Sequence, residues 1–192
     1  MLTMSKVYDS YAQAQSTVEE LERAGIAAAD VSLVANKYVS DKYDNVEEAN
    51  ATETGAGVGA AVGGGVGLLA GLGLLAIPGL GPVVAAGWLA ATAVGAIGGA
   101  ITGGLVGALV EAGVPEAEAH VYSEAVRRGG TMVTVRYDDT RDTEVRAIMS
   151  RWQPIDASER RTAYEKEGWK AFDASAPVYK PNESEIERMR RR

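Results

Sequence analysis

His120 is the one histidine in 192 residues, so any chemistry that needs an imidazole must run through it. Glu116 and Glu124 stand four residues before and after it, and residues four apart share a helix face. Such a trio could make a weak metal site; the plainer reading is an exposed helical histidine in an acidic setting. Ser/His/Asp catalysis would have to use the same histidine, and the chain carries no nucleophile-elbow motif beside it. Asp138, Asp139 and Asp142 offer carboxylates to a cation. They follow a strand-like run and precede a helix-like one, where aspartates serve turns and caps. Gly63-Gly64-Gly65-Val66-Gly67 invites a phosphate-loop reading, but such a loop needs Lys-Ser/Thr after its glycines and an NAD-type turn needs a later acidic ribose partner; neither follows. With no cysteine, disulfides and thiolate metal sites are excluded. The chain therefore reads as a non-enzyme with no catalytic residue, no cofactor and no metal site.

Charge narrows the partners. The net charge of −7 excludes a general nucleic-acid binder, because phosphate binding needs a basic surface. The basic run Arg188-Met189-Arg190-Arg191-Arg192 is too short to alter that. No small-molecule substrate is indicated. Met1-Leu2-Thr3-Met4-Ser5-Lys6 has no apolar signal region, so secretion by a cleaved signal peptide is not expected.

The elements that must position these residues are read from pattern. Lys6-Val7-Tyr8 begins as a strand. Ser10 can cap a helix in which Tyr11, Ala14, Val18 and Leu21 recur at helical spacing, and Gly25 closes it. Val31–Val34 is a second strand, which completes a βαβ unit. Residues 36–54 form a polar linker that ends at Thr54, a capping residue. Pro115 suits the first turn of a later helix, with Glu116 and Glu118 at its positive end; Arg127-Arg128-Gly129-Gly130 ends it. Thr131–Tyr137 alternates as a strand, Asp142 opens a helix ending at Trp152, and Pro154-Ile155-Asp156 is a short edge strand. The fold class is thus α+β: a ferredoxin-like α/β sandwich of two βαβ halves, near 6–35 and 131–157, interrupted by an apolar helical hairpin. The divisions are 1–35, 36–54, 55–112, 113–157 and an extended aromatic and basic arm, 158–192.

The interruption is compositional. No charged residue lies between Glu53 and Glu111, and most of the 23 glycines fall there. Gly55, Gly59, Gly63, Gly67 and Gly71 repeat every four residues, as do Gly87, Ala91, Gly95, Gly99, Gly103 and Gly107. On helices these make two small-residue ridges for close helix packing, a glycine zipper. Glycine costs a water-exposed helix roughly 1 kcal/mol per position relative to alanine, so close packing or a low-water environment must hold such ridges helical. Gly55–Ile77 would span about 34 Å and Pro82–Val110 about 43 Å, enough for a bilayer. Pro78, Gly79, Gly81 and Pro82, around Leu80, form the hairpin turn. The flanks Glu47, Glu48, Glu53 and Glu111 are acidic rather than basic, and Trp88 is the only aromatic inside the segment, so the usual orientation and belt signals of a membrane span are absent. Membrane insertion, a homo-oligomeric helical core in water and purely intramolecular packing all remain open. Beyond Gly168, Trp169, Phe172 and Tyr179 mark an extended arm that docks in cis or in trans rather than a free terminus.

Val7-Tyr8 through Val34-Ala35, and Gly113–Ala119 through Arg127–Val135, resemble the bacterial general stress protein 17M-like family. Ile77–Gly87 and Glu167–Asp173 resemble its low-temperature-induced subset. The resemblance implies a role in bacterial stress and carries no catalytic residue. The expectation is a non-enzymatic stress-associated protein that inserts in or lies on the cytoplasmic membrane through its hairpin, self-associates as a homo-oligomer and keeps its α/β domain in the cytoplasm. The alternatives are a soluble cytoplasmic homo-oligomeric assembly, and a small-ligand-binding regulator by fold analogy.

Overall fold

The computed structural model describes residues 1–36, 73–77, 81–89, 104–177, 179 and 183. The chain opens with β1 (Leu2–Tyr8). Ser10 then starts α1 (Tyr11–Arg23) with a reciprocal cap: its hydroxyl accepts the Gln13 N–H at 3.3 Å, and the Gln13 side chain accepts the Ser10 N–H at 3.2 Å. Gly25, at φ +84°, turns the chain after α1. β2 (Val31–Asn36) follows. The remaining elements are β3 (Gly73–Ile77), β4 (Gly81–Ala86), α2 (Leu105–Glu111), α3 (Glu116–Arg127), β5 (Thr131–Tyr137), α4 (Asp142–Arg151) and α5 (Ala157–Lys166).

The protein is a mixed α+β fold around one antiparallel sheet ordered β1-β5-β2-β4-β3. Strand alternation sends apolar side chains to both faces. Met4, Tyr8, Leu33, Val133 and Val135 pack with Val18 and Leu21 of α1 and Val145 and Met149 of α4. Val7, Met132, Val34 and Ala85 stand in one register row across four strands. They pack with Leu105 and Leu109 of α2 and Tyr122 and Val126 of α3. Because both faces are covered, every residue of β2 is buried, polar ones included. The polar positions answer one another: Ser5 and Thr134, paired across β1 and β5, share a hydroxyl hydrogen bond of 2.9 Å. Tyr8, buried on the other face, donates its hydroxyl proton to the Met149 carbonyl at 2.7 Å, and burial pushes that phenol up to about 12.

Three expectations need correction. First, Gly73–Ile77 and Gly81–Ala86 are paired strands, where continuous helices were expected across Gly55–Ile77 and Pro82–Val110. A short apolar run has no period that separates a buried strand from a helix, and Pro78 and Pro82 bound these runs. The four-residue glycine spacing also lapses here, passing from Gly71 to Gly73, Gly79, Gly81 and Gly87. Gly81 and Pro82 lie in β4, and Pro82 is tolerated because the β2 ladder reaches only from Val83 to Ala86. Gly87 is not on a helix ridge. At φ +89° it passes so close to β2 that a Cβ would lie 2.3 Å from the Val31 carbonyl oxygen. Gly104, at φ +50°, also interrupts the second expected helix before α2. No helix among the described residues is long and apolar enough to cross a membrane.

Second, Pro154-Ile155-Asp156 forms no strand. Ile155 donates a single backbone bond to the Val7 carbonyl beside β1, at 2.8 Å. Asp156 is the N-cap of α5, accepting from the Ser158 and Glu159 N–H groups. Third, the residues after 157 are not extended from the start, since α5 occupies Ala157–Lys166. Only Tyr164 of that helix is buried, so it shows no apolar stripe for the sequence to betray. Asn36, expected to open the polar linker 36–54, is instead the last residue of β2; 37–54 lie outside the described residues, as do Gly55, Gly59, Gly63, Gly67, Gly71, Ala91, Gly95, Gly99, Gly103, Pro78 and Gly79.

Gly87→Ala should cost about 2–4 kcal/mol, combining the left-handed backbone with an overpacked contact. Gly25→Ala, at a similar φ with open space around it, should cost only roughly 1 kcal/mol. Urea unfolding of both variants checks this; equal losses would show that the close approach of Gly87 to β2 does not matter.

Candidate functional site

α3 carries the histidine and both glutamates that sequence reasoning singled out, though in other partnerships. Glu124 is 1 % exposed. Its carboxylate accepts from Arg127 Nε at 2.9 Å, Arg127 Nη2 at 2.7 Å and Arg128 Nε at 2.6 Å. A helix places i+3 and i+4 beside i, so one carboxylate holds both guanidinium groups at the helix C-terminus, where positive charge also suits the macrodipole. Burial alone would push the Glu124 carboxyl up; the hydrogen bonds and charges of Arg127 and Arg128 outweigh it and hold the carboxyl below its ordinary value.

Each arginine then reaches outward. Arg128 Nη1 donates to Glu167, and its guanidinium lies 4.2 Å from the centre of the Tyr164 ring. Arg127 stands 5.6 Å from the Tyr179 ring centre. Trp169 meets Tyr164 edge-on with centroids 5.6 Å apart, and its backbone N–H donates to the Tyr164 carbonyl. From the sheet, the Asn36 amide reaches the Arg127 carbonyl at 3.4 Å. Gly130 lets α3 return to the sheet, because a Cβ there would lie 2.9 Å from Val7 Cγ1 and 3.0 Å from the Ala125 oxygen.

A groove of about 840 Å³ runs beside this cluster, between the end of α3, the Gln153–Asp156 connection and α5. Asp9, Asp156, Glu159 and Glu167 line it with Arg128, Arg160, Tyr164 and Tyr179. Arg160 Nη2 spans both oxygens of Asp9 at 2.7 and 2.8 Å. The charged groups of the groove are largely paired with one another, so its chemistry is that of ionic and aromatic docking. No group of three or more potential metal-ligating side chains occurs among the described residues.

His120 departs from the exposed position expected of it. Its side chain is about one-quarter exposed, its Nδ1 accepts the Phe172 N–H at 3.2 Å, and its Nε2 stands 3.9 Å from Glu116 Oε1. Glu124, the other carboxylate of the imagined metal trio, is committed to its arginines. Phe172 is buried in the cluster formed by α2, α3 and the sheet, so Trp169, Phe172 and Tyr179 all lie against their own chain. The aspartates are each employed: Asp138 caps the turn at the Thr140 N–H, Asp139 pairs with the Met1 amino group at 3.0 Å, and Asp142 accepts from the Tyr137 hydroxyl and Arg146. Of the glycine-ridge positions, Gly107 lies in α2 and Gly87 at the β2 contact. The Glu124–Arg127–Arg128 cluster was missed; its one sequence signal is the i, i+3, i+4 charge pattern, which is commonplace on solvated helix faces.

Compared with protein-family models, curated proteins and solved structures, the chain matches none.

Glu124→Gln keeps the side chain's shape and removes its charge, and breaking a buried ion pair in this way costs about 3–5 kcal/mol. The sign in pH follows from a carboxyl held below its unfolded value of about 4.3. The stabilisation is complete above that value and is lost as pH falls through the lower, folded value. The stability gap between wild type and Glu124→Gln should therefore be full at pH 7 and shrink below about pH 4, as read by urea unfolding across that range.

Proposed function

We propose that this chain is a non-enzymatic, self-associating protein whose uncharged, glycine-rich segment is its contact element and whose sheet domain holds that element in place. The observation that carries this is the position of β3 and β4. The centre of the segment between Glu53 and Glu111 is built into the domain's own sheet as its last two strands, so the small-residue stretches on either side are tied to a folded body rather than to a free linker. The order β1-β5-β2, with α1 and α4 packed on one face and Ile155 beside β1, supports a ferredoxin-like reading of the domain. The four-residue repeats Gly55–Gly71 and Ala91–Gly107 support a glycine zipper between copies. The resemblance to general stress proteins supports a bacterial cytoplasmic setting under stress.

A lipid surface is the second reading. What favours it is the absence of charge from 54 to 110. What weighs against a simple two-helix crossing is the β3–β4 pair. Association with copies is therefore the better supported of the two.

Light scattering on the full chain, eluted from a sizing column without detergent, separates them. The expected result is a particle several times the 20.1 kDa chain mass, reduced in size by Gly63→Leu or Gly99→Leu. A 20.1 kDa monomer, or variants that keep the wild-type particle size, would remove self-association through the ridges. A monomer that pellets with membranes and resists a carbonate wash would establish the lipid reading instead.

A further inference from the structure

We infer that His120 is a proton-operated latch on the aromatic arm that follows α5. The latch rests on a contact between two parts of the chain 52 residues apart, the Phe172 N–H and His120 Nδ1, at 3.2 Å. An imidazole nitrogen accepts a hydrogen bond only while it carries no proton. With the arm seated, the ring's single proton must therefore sit on Nε2, the nitrogen that stands 3.9 Å from Glu116 Oε1. A second proton would enter at Nδ1 and set N–H against N–H. The seated arm and the imidazolium exclude each other.

The surroundings permit that proton to arrive. His120 is partly exposed, and Glu116 offers the cation a counter-charge. The other charged groups on the packed elements are otherwise engaged or solvated. Arg161 of α5 donates to the Ala117 carbonyl, Glu167 is tied to Arg128, and Glu124 is closed by its two arginines. Asp173 accepts from Ser175 within the arm; Glu111 of α2 and Lys170 of the arm are exposed. What the latch secures is apolar: Phe172 is 7 % exposed and shares its cluster with Leu105, Leu109, Tyr122 and Val126. The neutral ring keeps this seat closed, and a second proton on it opens the seat. The inference does not rest on the proposed self-association.

Hydrogen exchange on the full chain at pH 7.5 and 5.5, corrected for the intrinsic pH dependence of exchange, tests it. The Phe172 amide should lose about three- to tenfold of its protection at the lower pH, the scale of one net hydrogen bond, while the Val133 amide in the middle of β5 keeps its own. His120→Asn offers a carbonyl acceptor that does not titrate, so its Phe172 protection should be the same at both pH values. Unchanged Phe172 protection in the wild type, or an equal loss in His120→Asn, would overturn the latch.

Discussion

A carboxylate taken out of water is unfavourable by several kcal/mol unless its lone pairs are met, and Glu124 is such a group. Its three hydrogen bonds come from Arg127 and Arg128, and their geometry admits little freedom. With both guanidinium groups held from the inside, their outer faces are presented to Tyr179 and Tyr164, and Arg128 still has a donor for Glu167. The buried acid therefore acts on geometry as well as on stability. It sets two arginine rotamers, and these set where α5 and the arm come to rest. The same helix end returns to the sheet through Gly130 and is touched by Asn36 of β2, so sheet, helix and arm meet at one point.

Local signals made much of the framework legible. Ser10 with Gln13, Gly25 at positive φ and the apolar runs of β1, β2 and β5 each act over a few residues. They give the same structure in the folded chain that they suggest in isolation. The order of these elements also pointed to an α+β sheet. What the sequence concealed was decided at longer range. Leu74–Ile77 and Pro82–Ala86 are apolar runs too short to show a period, and their choice of strand rests on an open edge of β2 that only the tertiary structure supplies. The glycine repeat on either side encouraged a helical reading of the whole stretch, although its spacing lapses at the strands.

The candidate site was legible in its parts and not in its partnerships. Trp169, Phe172 and Tyr179 stood out as aromatics in a polar tail, but nothing local tells which surface receives them. His120 looked solvated because its helix neighbours are acidic. Its burial comes from the Phe172 segment, brought in from 52 residues away. α5 escaped notice because it buries only Tyr164, and a helix held by Arg160–Asp9 and Arg161–Ala117 contacts needs no apolar stripe. Surface ion pairs of this kind add little stability singly, so here they locate a helix whose capping by Asp156 already favours its formation.

The uncharged segment is not an appendage to the sheet. Ala85 in β4, Leu89 just after it, and Leu105, Val106, Ala108 and Leu109 in α2 supply much of the apolar surface on one face of the sheet. Without them Val7, Val34 and Met132 would lose neighbours on that face, and α3 would lose the helix it packs against. Each fully buried aliphatic side chain contributes about 1.5–3 kcal/mol, a large share of a stability that totals only about 5–15 kcal/mol for a typical domain. The described part of the segment thus has a structural duty, because its apolar residues complete the core. A segment that served only as a linker would have no reason to finish the sheet, and the contact element proposed for it would gain orientation from doing so.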